Sequence, residues 1–151
     1  MNAPRKNPVP QNLSQEFLSR SVEETLIFAK NFSEKLKPGS VIALVGDLGS
    51  GKTTFLKGFA SGLGLKDPDE VKSPTFALMH VYQARLPIYH FDLYRLESPK
   101  EIEAIGFEEF INDPKAVSCV EWADKAGLLL PPHTRWLHFE VAGETSRRIR
   151  F

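Results

Sequence analysis

Residues 46–53 read Gly-Asp-Leu-Gly-Ser-Gly-Lys-Thr, the spacing G-x-x-x-x-G-K-T of a phosphate-binding loop. The glycines let the backbone curl until successive N–H groups point inward at an anion. A helix beginning at the lysine adds unpaired amides and a favourable dipole. Lys52 supplies a point charge for β- and γ-phosphates, Thr53 a hydroxyl for Mg²⁺, and Thr54 a hydroxyl for the α-phosphate. The expected nucleotide contacts are therefore Asp47, Leu48, Gly49, Ser50, Gly51, Lys52, Thr53 and Thr54.

Such a loop needs a carboxylate at the end of a second strand to hold the metal or its water shell. Glu121 ends the apolar run Val117–Val120 and fits that place; a solvent-facing glutamate at a strand end is the alternative. Asp92 sits in the apolar-aromatic stretch His90–Arg95, where an acid is costly unless it is paired or faces a cavity. It either orders a metal-bound or attacking water or pairs with Arg95. Ser73–Phe76 (Ser-Pro-Thr-Phe) reads as a switch-like segment sensing a γ-phosphate or as an ordinary turn. His80, His90, His133 and His138 lack metal-ligand spacing and read as packing or surface residues. Near the C-terminus, Arg147 and Arg148 could reach a nucleotide, with exposed arginines that make no such specific contact as the alternative.

The elements that must position these residues follow from periodicity. Val41–Val45 is a short, wholly apolar run between glycines, hence a central strand; it leads into the phosphate loop. Residues 53–63 place Phe55, Leu56, Phe59, Ala60 and Leu63 on one helical face. Upstream, Ser21 and Glu24 form a capping-box pattern ahead of a helix over 22–36. Residues 66–74 are a loop, and residues 75–83 and 86–94 are strands joined by a turn at Ala84–Pro87. Ser98, Pro99 and Glu101 signal a helix start, with helical segments over 99–105 and 107–112. After the Glu121 strand, 128–132 is a loop, and 134–141 and 147–151 are strands. The alternation predicts a three-layer α/β domain of the P-loop NTPase type with a mostly parallel sheet.

The proline-rich, polar residues 1–19 read as a flexible leader, leaving 20–151 as one domain. The 151 residues are 42% hydrophobic and 25% charged, ordinary for one globular domain. Nineteen basic residues balance nineteen acidic ones, which argues against tight unaided capture of a polyanion. Neither a secretory signal nor a bilayer-length apolar run is present, and the lone Cys119 fits a reducing compartment. A cytoplasmic protein is expected.

Taken together, "GDLGSGKTTF", "SPTF", "HFDLYR", "GFEEF" and "VEWADK" resemble, in order and distance, the bacterial TsaE family of small P-loop ATPases. The resemblance spans roughly residues 20–150. It implies an ATP-hydrolysing auxiliary subunit in threonylcarbamoyladenosine modification of ANN-decoding tRNAs, at the adenosine beside the anticodon. It implies protein partners, the TsaD- and TsaB-type subunits of the transferase complex, with tRNA reached through them and no membrane. ATP or ADP and Mg²⁺ are the implied ligands. Carried over, Thr53 and Glu121 form the Mg²⁺ pair, and Lys52, Asp92 and Glu121 the catalytic set. Trp122 lies beside the nucleotide, Thr75 in the switch-like loop, and Arg147 supplies a further contact.

The residues alone bear on three other readings. A small-molecule kinase usually needs an arginine-rich lid, and residues 96–134 contain no arginine. A GTPase calls for an N-K-x-D-like segment after a late strand, and Asn112–Lys115 does not match. A nucleotide-dependent docking module without important hydrolysis differs from the ATPase only in chemistry that residue types do not distinguish.

Overall fold

A computed structural model describes Pro10, residues 13–74 and residues 76–151. Thr75 and most of the proline-rich leader lie outside the described residues. The elements run β1 (Glu16–Ser19), α1 (Val22–Glu34), β2 (Val41–Val45), α2 (Lys52–Gly62), β3 (Met79–Tyr82), β4 (Ile88–Asp92), α3 (Pro99–Ala104), α4 (Phe107–Ile111), β5 (Val117–Glu121), β6 (Arg135–Val141) and β7 (Arg147–Arg150).

The strands form one sheet of seven in the order β1-β7-β6-β2-β5-β4-β3. Its centre, β6-β2-β5-β4, is parallel, while β3, β7 and β1 pair antiparallel at the two sides. β5 is buried along its whole length and β2 along all but its last residue, which accounts for their continuous apolar runs. Ile42 and Leu44 face α1 and α2 together with Val117 and Cys119. Val41, Ala43, Phe91 and Val120 face the other way, toward α3 and α4. The result is the expected three-layer α/β arrangement, as a mixed sheet.

Both predicted caps form. The Ser21 hydroxyl accepts from Glu24 N, and Glu24 reaches back to the Arg20 amide at 2.7 Å. Ser98 and Glu101 repeat the pattern at α3, with Glu101 reaching the Glu97 amide at 2.6 Å. Two stretches differ from expectation, the first being the strand expected over 75–83, which is shortened to β3 with Phe76–Leu78 in a turn. Glu16–Ser19 is a strand, not leader, because β7 offers an open edge and Phe17 stacks on Phe28 of α1 at 4.5 Å. The loop over 66–74 carries a single 3₁₀ turn at Pro68–Glu70.

α1 and α2 pack in close apposition. A Cβ on Gly58 would meet the Leu26 carbonyl oxygen, and a Cβ on Gly62 would meet the Ser33 hydroxyl and, at 2.6 Å, the Lys30 carbonyl oxygen. This approach seats α2 on the sheet so that its N-terminus faces the carboxyl ends of the parallel strands, where α/β folds bind ligands.

Candidate functional site

The chain leaves β2 through Gly46 and enters α2 at Lys52. Gly49 and Gly51 take left-handed φ values of +79° and +100°, which a side chain would oppose. Gly51 is the N-cap of α2 and supplies no side-chain hydrogen bond, so the first-turn amides of this 11-residue helix lack a side-chain cap. The Ser50 hydroxyl is buried and without a partner. Gly46 cannot be replaced without rearrangement: a Cβ there would lie 2.7 Å from the Phe139 carbonyl oxygen. Uncapped amides, an orphaned hydroxyl and a glycine-built turn together make a cradle of donors that fits phosphate oxygens.

Lys52 is buried and its Nζ donates to the Gly46 carbonyl at 2.5 Å while lying 4.2 Å from the Trp122 ring centre. Burial pushes its ammonium below the usual lysine range, against the pull of Glu121, Asp92, Asp124 and Asp47. Trp122 itself sits at φ +56°, an uncommon conformation for a bulky residue, which swings the indole over the lysine. Tyr94 lies against Trp122 with ring centres 5.0 Å apart, and Lys125 holds that corner by donating to the Tyr94 and Leu96 carbonyls.

Asp92 and Glu121 are paired residues at the ends of β4 and β5, and both are buried. Asp92 accepts from the Ser73 hydroxyl at 2.6 Å and from the Tyr94 amide at 2.9 Å. Arg95 does something else: its guanidinium stacks on Phe76, 4.0 Å from the ring centre. Glu121 Oε2 lies 2.7 Å from His90 Nε2, and His90 Nδ1 lies 2.9 Å from the Tyr82 hydroxyl. His90 is wholly buried, as a packing residue would be, but it also bonds Glu121 and Tyr82, which spacing did not reveal.

A cavity of about 690 Å³ brings these groups together. Leu48 to Thr54, Asp92, Glu121, Trp122 and Arg147 all line it, and Ser73 closes one side. Asp47 faces a neighbouring hollow of about 530 Å³ with Asp124 and Glu140. Arg147 lies along the loop, its Nε donating to the Gly49 carbonyl at 3.2 Å, whereas Arg148 turns to Glu16 and Glu140. Of these two arginines, Arg147 lines the cavity and Arg148 does not.

A family model described as "Threonylcarbamoyl adenosine biosynthesis protein TsaE" matches residues 19–149. The chain belongs to the TsaE family. A Treponema pallidum relative named tRNA threonylcarbamoyladenosine biosynthesis protein TsaE is 38% identical over 132 residues, spanning 87% of this chain and 96% of its own. A Bacillus subtilis relative of the same name is 43% identical over 130 residues, spanning 85% and 79%. The crystal structure of Bacillus subtilis YdiB superposes with a TM-score of 0.72 at 34% identity, covering 89% of this chain and 82% of that one.

For a TsaE chain, the residues that sequence reading passed over are Tyr82, Ser73 as the partner of Asp92, and His90. Strand alternation alone offered one signal for His90, since it shares a face of β4 with Asp92. What ties it to Glu121 is the register between β4 and β5, which puts His90 opposite Cys119 and so diagonal to Glu121.

Proposed function

We propose that the chain binds ATP with Mg²⁺ in this cavity and hydrolyses it slowly, as an auxiliary subunit for threonylcarbamoyladenosine modification of ANN-decoding tRNAs. The observation that carries the reading is the convergence of Lys52, Asp92 and Glu121 on one cavity at an uncapped helix N-terminus, in a chain of the TsaE family. Its partners on this reading are TsaD- and TsaB-type subunits in the cytoplasm, and tRNA is reached through them.

Each side chain then has a task. The amides of Gly49 to Thr53 bind the β-phosphate, and Thr54 the α-phosphate. Lys52 exchanges the Gly46 carbonyl for phosphate oxygens, moving from one acceptor to a more strongly charged one. Thr53 and Glu121 offer oxygen donors only, the set a hard cation prefers, and would hold Mg²⁺ or its water. Bound there, Mg²⁺ would neutralise charge on the phosphates. Asp92, fixed by Ser73 and the Tyr94 amide, orients the attacking water, and Thr75 belongs to the adjoining switch-like segment. Trp122 walls the pocket and shields Lys52 from solvent.

Slow hydrolysis by the lone chain is supported by where the arginines lie. Arg20 and Arg147 line the cavity from the β1–β7 side of β2, while Asp92 and Glu121 stand on the opposite side, on β4 and β5. Lys52, held beside both acids, would be the side-chain cation that meets developing charge at a γ-phosphate.

The test is nucleoside analysis of tRNA from cells depleted of this protein. Threonylcarbamoyladenosine should fall, return with the wild-type chain, and stay low with Lys52→Ala. Full recovery with Lys52→Ala would overturn the reading.

A further inference from the structure

Tyr82, His90 and Glu121 lie on one diagonal across three adjacent strands. The registers Tyr82↔Ile88, His80↔His90 and His90↔Cys119 put all three side chains on the face toward α1 and α2. Neighbours on such a diagonal are separated by about 7–8 Å at the backbone, a gap that long side chains bridge. Here they bridge it with hydrogen bonds of 2.9 and 2.7 Å. His90 is wholly buried, so neither ring nitrogen has water as an alternative partner.

The proton inventory restricts what this chain of bonds can be. An ionised carboxylate only accepts, so His90 Nε2 carries a proton and donates it to Glu121 Oε2. Nδ1 then either accepts the Tyr82 O–H or, in the imidazolium, donates to it. Tyr82 is itself within 3.2 Å of the Lys72 carbonyl, which accepts its O–H hydrogen bond in the second case, with His80 Nδ1 farther off at 3.4 Å. Both arrangements leave Nε2–H on Glu121. One carboxylate oxygen is therefore committed to the sheet, and the other is left for the cavity that Glu121 lines.

We propose that His90 is the positioning residue for Glu121, with Tyr82 setting the orientation of His90 from the backbone of Lys72. The proposal rests on the reading of Glu121 as a metal-associated acid. A glutamate has one more rotatable bond than an aspartate, and at a strand end it would sample several orientations if left alone. His90 removes that freedom without covering the oxygen that works. The relay ends one residue from Ser73, which bonds Asp92, so the two acids share a single anchor in the Lys72–Ser73 segment.

The test measures ATP affinity of the full chain by calorimetry in excess chelator and in excess Mg²⁺, and takes the ratio. In wild type, Mg²⁺ should tighten ATP binding. Glu121→Gln and His90→Leu should each reduce that gain about tenfold, the size seen when partners of metal-binding side chains are removed. His90→Gln, whose amide nitrogen reaches the Nε2 position, should recover most of it, and Tyr82→Phe should show a smaller loss. Affinity in chelator should not fall in any of these variants, since Glu121→Gln only removes a negative charge beside Lys52. Absence of any Mg²⁺ gain in wild type would overturn the reading of the site itself. A gain kept in full by His90→Leu, or lost in His90→Gln as completely as in His90→Leu, would overturn the positioning role alone. If His90→Leu does not fold, Tyr82→Phe decides: an undiminished gain overturns the relay and a reduced one supports it.

Discussion

Lys52 is held ready for an anion by what surrounds it. Its charge is half satisfied by the Gly46 carbonyl and the Trp122 face, and burial disfavours the ammonium that four nearby acids favour. Lys52→Ala should abolish measurable ATP binding while leaving thermal unfolding close to wild type, which calorimetry and a melting curve would check together. Glu121 has a second obligation that its catalytic role hides. Glu121→Ala strands the His90 Nε2–H in a dry core, and an unpaired buried donor costs about 1–3 kcal/mol. Glu121→Gln keeps an acceptor there. We expect both variants to lose ATPase activity, but only the alanine to unfold measurably earlier in denaturant. Equal destabilisation would mean that the His90 bond contributes nothing to the fold.

At the level of elements, the glycines of α2 reverse an ordinary expectation. Replacing a helical glycine by alanine generally gains about 1 kcal/mol of helix propensity. At Gly58 and Gly62 the added methyl would meet α1, with the Leu26 Cα at 2.9 Å from the first and the Lys30 carbonyl oxygen at 2.6 Å from the second. Overpacking of about 1–3 kcal/mol outweighs the propensity gain. Gly58→Ala and Gly62→Ala should each lower stability in urea titration, and the pair should weaken ATP binding because α2 carries the phosphate loop. The helices were legible in the sequence since apolar period and serine caps are local: Ser21 and Ser98 cap where their spacing placed them. β2 and β5 were legible for the same reason, as short apolar runs between breakers. β1 was not, because four residues with no strong alternation become a strand only when β7 arrives beside them. The bond between His90 and Glu121 was hidden likewise, since register is a property of two segments and each segment shows only its own residues. The loop and both acids, by contrast, were visible as residue types, Glu121 at a strand end and Asp92 as an acid inside an apolar-aromatic stretch.

Across the whole molecule, the even balance of charge is matched by how the basic residues are used. The densest basic run, Arg147–Arg150, is tied down: Arg148 and Arg150 both reach Glu16 and Glu140 across neighbouring strands, and Arg147 donates to the phosphate loop. The chain alone should bind tRNA with a dissociation constant above about 1 µM at physiological salt, measurable by filter retention. Sub-micromolar binding would show a polyanion surface that these pairings do not leave open. The sheet order carries one more consequence, in time and not in space. β2, which launches the phosphate loop, has as its partners β5 and β6, both made long after it, and β1 waits for β7 at the far end. Such non-local pairing is slow to form. A ribosome that has finished the loop has therefore not yet made a binding site. A nascent chain halted at Gly127 exposes every residue from Gly46 to Thr54 and should still retain no nucleotide. Competence arrives only once β5, β6 and β7 have left the exit tunnel, so the loop must wait for strands made well after it before it can hold nucleotide.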